Sequence, residues 1–338
     1  MKRRIQFVLP PGKGGVLLLD YLTSRFTYHT RSEWLAHVQE ARVQVNDDPT
    51  SGDCELQAGD RVEFIAKDMP EPPVSFEVEI IYEDYDVMVI NKPPNLPCHP
   101  AGRYFNHTLW AWLKTRHCIE SPALVNRLDR ETSGLLVVAK NAKAEAKCRS
   151  QFSKRSVVKR YVVLVEGNFP DSLEAKGWML PDPGSGVHKR RRFEPVDTVR
   201  GSLMPQPDPV PGKEWAETDF RRLQTVNGLS VVEAVLHTGR LHQIRATLHS
   251  LGFPVVGDKI YGPDPMIFVR FCTDAITEED WRRLRMPRQA LHSMELEFIH
   301  PTTNQPLRFE APLPADMAAL MKKSKVVWMS TLDFRLFP

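Results

Sequence analysis

The hydrophobic positions of the chain change period along its length, and each period predicts a different element. In residues 16–26 and 30–41 the apolar side chains recur every three or four positions, which predicts two amphipathic helices. Thr30 followed by Glu33 is a capping-box pattern that marks the start of the second helix. The next segments, up to Ile65, alternate between apolar and polar residues as half-buried strands do. Two helices followed by short strands predict a small α+β unit.

A proline-rich stretch follows this unit. Residues 67–75 contain three prolines and two acidic residues, which favour an extended linker. Further along, LLVVA at 135–139 predicts a buried strand, and Asn227-Gly228 between two strand-like segments predicts a tight hairpin. The pattern therefore predicts a small domain (1–66), a linker (67–75) and a larger domain (76–338).

Four regions of the larger domain are harder to interpret. Four prolines between 93 and 100 exclude a helix and predict an ordered loop. Residues 168–215 are poorly patterned and contain a predicted loop at 204–213. Residues 263–289 resemble an insertion with a short helix of its own, and residues 326–338 are apolar enough to pack.

Composition narrows the class of protein. The chain has 338 residues, of which 42% are hydrophobic and 26% charged, which is ordinary for a globular protein. Five scattered cysteines without a C-x-x-C pair argue against a zinc site or a disulfide framework, and no metal is expected. No apolar run reaches membrane-spanning length, and the first residues lack a signal-peptide core. We therefore expect a cytoplasmic protein, monomeric and without a membrane partner.

Net charge alone does not identify a partner. The formal net charge is +3, so the global field is only mildly basic. Basic residues cluster locally, most densely at Lys189-Arg190-Arg191-Arg192 and also at 154–155 and 159–160. RNA backbones favour such clusters, although a single cluster is more often a solvated face.

A dense charged segment stands directly before the buried strand. Arg127, Asp129, Arg130 and Glu131 precede Thr-Ser-Gly at 132–134. This arrangement favours an ionised side chain held at the rim of a packed scaffold, where catalytic groups are found; the alternative is a solvated turn. A glycosidase pair of Asp129 and Glu131 is a weak alternative, because the two carboxylates are close in sequence and nothing supplies a distinct acid environment.

Three blocks resemble one known family. R-L-D-R-E-T-S-G at 127–134 resembles the signature of the RluA-type pseudouridine synthases, and K-R-Y at 159–161 and T-G-R-L-H-Q-I-R at 238–245 follow in the family's order. Asn126 stands where many members have histidine. The small N-terminal unit resembles the RNA-binding module first known from small-subunit ribosomal protein S-four. The resemblance implies an α+β catalytic domain with a mixed, largely antiparallel central sheet flanked by helices.

The resemblance also implies a reaction and its residues. Pseudouridine formation detaches uracil from the ribose and reattaches it through carbon, which requires no cofactor. Asp129 would be the catalytic carboxylate, acting as nucleophile or as base. Arg245 would be its ion-pair partner, and Tyr161 would face the uracil ring. The open alternative is a non-catalytic RNA-binding protein of the same fold.

The same resemblance, together with the basic clusters, suggests the RNA contacts. Arg127 would lie next to a phosphate or the vacated base stack, while Gly239 and Arg240 would open the helix that carries Arg245. The remaining candidates for RNA binding are His242, Arg31, Arg42, Lys189, Arg190 and Arg191. We expect ribosomal RNA as the partner, with transfer RNA as the second possibility.

Overall fold

The protein is represented by a computed structural model that describes residues 4–26, 29–66, 71–187, 189–196 and 210–322. These residues form two compact units. One comprises the described residues up to Pro72 together with Gly102–Asn106, and the other comprises the rest. Most of the predicted loop at 204–213, part of the predicted linker and the apolar segment 326–338 lie outside the described residues.

The first unit contains two helices and six short strands among its described residues. Its elements are β1 (Arg4–Val8), β2 (Val16–Leu17), α1 (Leu18–Arg25), α2 (Arg31–Gln39), β3 (Val43–Val45), β4 (Asp48–Pro49), β5 (Glu55–Leu56) and β6 (Arg61–Ile65). Thr30 and Glu33 form the predicted capping box at the start of α2. The unit packs around the fully buried Trp34. Strand β1, which the pattern does not predict, pairs with β6 at the edge of a four-stranded sheet.

The second unit is built on one large sheet. Its strands are β7 (Glu79–Glu83), β8 (Val87–Lys92), β9 (Ala123–Leu124), β10 (Ser133–Ala139), β11 (Val158–Glu166), β12 (Ser172–Pro181), β13 (Arg191–Pro195), β14 (Glu214–Val226), β15 (Leu229–Leu236), β16 (Leu291–Ile299) and β17 (Pro306–Glu310). Its helices are α3 (Leu109–Arg116), α4 (Ala142–Ser153), α5 (Gln243–Ser250), α6 (Met266–Cys272), α7 (Glu278–Leu284) and α8 (Ala315–Lys322), with a short 3-10 turn at Pro183–Ser185.

The sheet runs in the order β13-β12-β14-β15-β11-β16-β10-β8-β7, with β9 beside β10 and β17 beside β16. Within the described ranges every pairing is antiparallel except that of β10 with β16, which is parallel. The expectation of a mixed, largely antiparallel sheet flanked by helices is therefore confirmed. The poorly patterned stretch 168–215 supplies β12 and β13 at one end of the sheet.

Strand β10 is buried on both faces, which explains its uninterrupted aliphatic sequence. Leu136 and Val138 pack into the core on one side of the sheet, and Leu135 and Val137 pack into the core on the other. The charged segment before β10 is therefore attached directly to a rigid strand. No helix in the described ranges is long and apolar enough to cross a membrane.

Gly134 explains the glycine of the Thr-Ser-Gly sequence. It has a φ of +111°, and a Cβ atom at this position would lie 2.2 Å from the carbonyl oxygen of Ser293. This close approach of two backbones is where β10 meets β16. Only glycine fits such a crossing, because any side chain would clash with the backbone of the neighbouring strand.

Candidate active site

Asp129 lies at the wall of a cleft in the second unit. The cleft has a volume of about 800 Å³, and its lining includes the segment 124–129, the start of β11 and the turn before α5. The Asp129 side chain keeps 28% of its surface exposed, so it is accessible from the cleft. The preceding residue, Leu128, is buried. The Cys98 thiol donates to the Leu128 carbonyl at 3.2 Å, and the Cys98 Sγ atom accepts from the Leu128 backbone N–H at 3.4 Å. The loop that carries the carboxylate is therefore anchored.

Arg245 joins two carboxylates. Its Nη1 atom donates to Asp129 Oδ2 at 2.6 Å, and its Nε and Nη2 atoms donate to the two oxygens of Asp258 at 2.6 and 2.9 Å. Asp258 is fully buried and also accepts hydrogen bonds from the backbone N–H groups of Ile260 and Tyr261. Because Asp258 accepts hydrogen bonds from both Nε and Nη2 of the planar guanidinium, the remaining nitrogen, Nη1, is fixed toward Asp129.

This arrangement keeps Asp129 ionised. Burial would raise the pKa of the carboxyl, but the positive charge of Arg245 and hydrogen bonds from Arg245 and Gln289 outweigh burial and lower it to about 2. Burial also opposes the charge on Arg245, yet the two neighbouring carboxylates raise its pKa above the ordinary arginine value. The ion pair is therefore present throughout the neutral pH range.

Two further side chains, one just before β16 and one near its start, hold the loop in place. The Gln289 Nε2 atom donates to Asp129 Oδ2 at 3.3 Å and to the Thr132 hydroxyl. Ser133 Oγ lies 2.9 Å from Nδ1 of the buried His292. Together with Gly134, the hydroxyl residues of the Thr-Ser-Gly sequence thus serve to seat the loop.

Tyr161 and His242 complete the wall around Asp129. Tyr161 lines the cleft from β11 with only 6% exposure, and burial raises the pKa of its phenol to about 12. His242 has left-handed backbone, with its Nδ1 atom 3.0 Å from Tyr261 Oη and its Nε2 atom 3.9 Å from Asp129 Oδ1. Burial and the charge of Arg245 lower the pKa of His242 to about 4, so both rings are neutral at physiological pH.

Comparison with known proteins identifies the family of the chain. The family model described as RNA pseudouridylate synthase matches residues 86–250. An uncharacterized RNA pseudouridine synthase of Chlorobaculum parvum is 33% identical over 91% of this chain and 93% of its own length. The chain belongs to the RNA pseudouridine synthase family. The predicted resemblance to the pseudouridine synthases and the interpretation as an enzyme are confirmed.

A second relative and a solved structure extend the comparison. The ribosomal large subunit pseudouridine synthase D of Nitrosomonas europaea is 31% identical over 94% of this synthase and 87% of its own length. The solved structure titled Human RNA Pseudouridylate Synthase Domain Containing 4 superposes with a TM-score of 0.54, covering 72% of this chain and 92% of that chain at 23% identity. The second match shows that the fold is shared.

The turn before α5 differs from the prediction. Gly239 and Arg240 were expected to open the helix, but α5 begins at Gln243. The Gln243 Oε1 atom accepts from the Arg240 backbone N–H at 3.0 Å and from the Thr238 hydroxyl at 2.8 Å, which turns the chain before the helix starts. Arg240 lines the cleft from this turn, and its Nε atom donates to the Trp215 carbonyl at 3.0 Å.

Asn126 and Arg127 occupy different environments on the loop. Asn126 Oδ1 accepts from the backbone N–H of Val137 at 2.9 Å, so the residue that replaces the family's usual histidine helps to hold the loop on β10. Arg127 is exposed and lines the cleft. Its position is compatible with the predicted RNA contact.

The basic cluster at 189–191 is not one continuous surface. Lys189 is exposed and Arg191 is half-buried. Arg190, predicted to bind RNA, is instead buried: it pairs with Asp182 at 3.1 Å and lies 2.8 Å from His249 Nε2. Its guanidinium is thus used inside the protein, because it joins the turn just before β13 to α5.

The two arginines predicted on the first unit lie in separate environments. Arg31 is exposed at the start of α2 and forms an ion pair with Asp20. Arg42 is half-buried, and its Nε atom donates to Glu40 at 2.8 Å. Both are available on the surface of this unit, and their contact with RNA remains a prediction.

Sequence reasoning missed three residues that support the site. Asp258 and Gln289 are described above. The third is Lys92, which is fully buried and donates to the carbonyls of Pro93, Leu96 and Arg130 at 2.7, 3.0 and 3.3 Å. It joins the proline-rich loop to the loop that carries Asp129. The available signal was a charged residue inside an otherwise apolar or proline-rich run.

Glu131 does not share the cleft with Asp129. It pairs with Lys259 at 2.9 Å and with Arg130 at 2.9 Å, and it is absent from the cleft lining formed by the described residues. Asp129 is the one carboxylate in that lining. The glycosidase alternative, which requires two carboxylates facing one bond, therefore lacks support.

Proposed function

We propose that this synthase converts uridine to pseudouridine in large-subunit ribosomal RNA, with Asp129 as the reacting carboxylate. The observation that carries the assignment is the Asp129–Arg245 ion pair at the wall of the cleft, beside Tyr161. The choice of ribosomal RNA is supported by the relative named ribosomal large subunit pseudouridine synthase D. The resemblance of the first unit to an S-four-type module agrees with a structured RNA substrate.

The reaction is an isomerisation that conserves atoms and electrons. The bond between ribose C1′ and uracil N1 breaks, the base turns, and a bond forms between C1′ and C5. The hydrogen of C5 leaves as a proton, and N1 gains one. Asp129 either attacks the sugar or removes a proton from it, and both roles require an ionised carboxylate. Arg245 keeps the carboxylate in that state through Oδ2, and the second oxygen of Asp129, Oδ1, accepts no hydrogen bond from the described residues.

Tyr161 and Arg127 are assigned to the base and to the gap that it leaves. A neutral phenol can stack on uracil and take part in moving the C5 proton. Extracting the uridine from its stack costs a few kcal/mol. The exposed guanidinium of Arg127 offsets part of that cost by filling the gap or binding the adjacent phosphate. The substrate class supports a cytoplasmic location, and we expect the protein to act as a monomer.

The substrate assignment is tested on unmodified RNA. Large-subunit ribosomal RNA and a transfer RNA pool are transcribed in vitro, incubated with the synthase, and mapped for pseudouridine. We expect a small number of sites in the ribosomal transcript and none in the transfer RNA pool. Modification of the transfer RNA pool alone would overturn the substrate. Absence of modification in every cellular RNA would favour the non-catalytic alternative.

A further inference from the structure

Lys159 lies on the same side of β11 as Tyr161. The two residues are two positions apart on one strand, and both side chains line the cleft. Arg160 between them points away and donates to Glu295 at 3.1 Å. Because a strand rises by about 3.3 Å per residue, Lys159 stands roughly 7 Å from Tyr161 along the wall.

The Lys159 ammonium has no anionic partner among the described residues. The residue is 7% exposed, and in the described part of the chain its Nζ atom makes no hydrogen bond or ion pair. Burial, together with the positive charge of Arg155, lowers the pKa of Lys159 to about 8. A buried cation is normally paired, because removing it from water is costly.

The other buried cations near the cleft follow that rule. Arg245 holds two carboxylates, Lys259 holds Glu131, and Lys92 donates to three carbonyls. Lys159 is therefore an exception, and its position indicates where an anionic partner would come from. Its side chain lines the cleft, so a partner can reach it from there.

The surrounding wall is basic. Arg149, near the end of α4, and Arg155, directly after the helix, line the cleft together with Lys159. The Arg149 Nε atom donates to Glu145 at 2.7 Å, while its side chain remains 54% exposed. Among the residues with described positions, this part of the lining contains no carboxylate. The missing anion must therefore come from a ligand.

We propose that Lys159, with Arg149 and Arg155, binds one phosphate of the RNA backbone next to the uridine that enters the cleft. A phosphodiester has a full negative charge and oxygens that accept hydrogen bonds, and an RNA strand places one beside every base. The inference rests on the proposed function only for the identity of the strand. It assigns Lys159 to binding and positioning, not to the chemical step.

The test compares three variants by RNA affinity at several salt concentrations, with unmodified large-subunit ribosomal transcript as probe. Lys159→Met removes the charge and keeps the apolar stem, Lys159→Arg keeps the charge, and Lys143→Met removes an exposed lysine of α4 outside the cleft lining. We expect Lys159→Met to weaken binding about tenfold and to reduce the slope of log affinity against log salt by about 0.7, the value for one phosphate of a single strand. Lys159→Arg should retain most of the affinity, and Lys143→Met should behave as wild type.

A second measurement reads the ammonium directly. In lysine labelled with ¹³C at Cε, the Lys159 signal is assigned by its absence from Lys159→Met, and its titration is followed with and without RNA in an Asp129→Asn background. We expect its midpoint to rise by at least one pH unit when RNA is bound, because a phosphate stabilises the charged form. An unchanged midpoint and an unchanged salt slope in Lys159→Met would overturn the proposal.

The result is separable from that of the proposed function. If wild type modifies ribosomal RNA but Lys159→Met binds it as wild type does, the phosphate site is wrong and the synthase assignment stands. If no RNA is modified but Lys159→Met binds ribosomal RNA more weakly with a shallower salt slope, the phosphate site stands and the substrate assignment falls. In an active enzyme, Lys159→Met should raise KM more than it lowers kcat.

Discussion

Two buried cations on one cleft have opposite environments. Arg245 is held by two carboxylates and stacks against Tyr261, with its guanidinium carbon 5.1 Å from the ring centre. Lys159 has no anionic partner in the described residues and only a like charge, Arg155, acting on it. Arg245 already has its anionic partners before a substrate binds, whereas Lys159 gains an anionic partner only when the substrate binds.

The difference separates catalysis from binding within the same cavity. A catalytic group must be in position before the reaction, since reorganising charge during the reaction raises the barrier. A binding group gains most when the ligand supplies the charge that the protein lacks. The predictions that follow test this division, beginning with the largest effect.

Asp129→Asn should remove activity by about 10³-fold or more, because the amide is neither a base nor a competent nucleophile. RNA affinity should change by less than about twofold. Single-turnover kinetics and filter binding measure the two effects. Asp274→Asn is the matched control, as an exposed aspartate outside the cleft lining. Undiminished turnover in Asp129→Asn would contradict the assignment of this carboxylate.

Arg245→Lys tests whether the paired cation acts in the reaction. Lysine keeps the charge but cannot hold Asp258 and Asp129 simultaneously in a planar fork. We expect kcat to fall about 10²-fold, the cost of one preorganised donor, with a smaller change in RNA affinity. The pKa of Asp129 should rise from about 2, since burial is then less fully offset, so the acid limb of the kcat profile should move to higher pH. A loss confined to affinity would place Arg245 in binding instead.

Lys159→Met should make the free protein more stable at neutral pH. The folded-state pKa of about 8 lies below the unfolded lysine value of about 10.4, so the unfolded chain holds more protons between those values. The buried charge therefore lowers wild-type stability at neutral pH, and this cost disappears as pH rises through that window.

Denaturant titrations measure this effect. We expect the free energy of unfolding of Lys159→Met to exceed that of wild type by about 1–3 kcal/mol at neutral pH, and the gap to close above about pH 10. Lys143→Met should show no pH-dependent gain. A variant less stable than wild type at neutral pH would mean that the ammonium is already satisfied in the free protein.

The smallest effect is expected outside the cleft. Lys189→Ala removes an exposed charge from the 189–192 segment, whereas Arg190 is already paired inside the protein. If Lys189 touches RNA, affinity should fall about two- to threefold, and the salt slope should become shallower by less than one unit. An unchanged salt slope would mean that Lys189 does not contact RNA, and RNA binding would then be assigned to the cleft.

Local patterns predicted the parts of the fold that local physics determines. The capping box at Thr30, the buried strand β10 and the hairpin at Asn227-Gly228 all form where the sequence indicates them. Asp129, Tyr161 and Arg245 were identified through the family resemblance, and the structure brings them to one cleft. No periodicity linked them, because the pairing of distant loops leaves no local pattern.

The rest depended on partners that are distant in the chain. Strand β12 is hydrogen-bonded to β14, some forty residues away, and its own sequence mixes glycine, charged and apolar residues. The sequence predicts that Arg190 belongs to a basic surface, but the residue is buried, where it pairs with Asp182 and contacts His249. Asp258 and Gln289 have ordinary sequence surroundings, and only the folded chain brings them to Arg245 and Asp129.

The hydrogen bonds that hold the Asp129 loop also bear on the order of events during biosynthesis. Thr132 and Ser133 are held by Gln289 and His292, partners 157 and 159 positions later in the chain. While residues 289–292 are still inside the ribosome during synthesis, Asp129 has already emerged, but the partners that hold its loop have not. Contacts of such long range form late, since loop closure must come first. We therefore expect Asp129 to take up its position only after the chain through His292 has been synthesised.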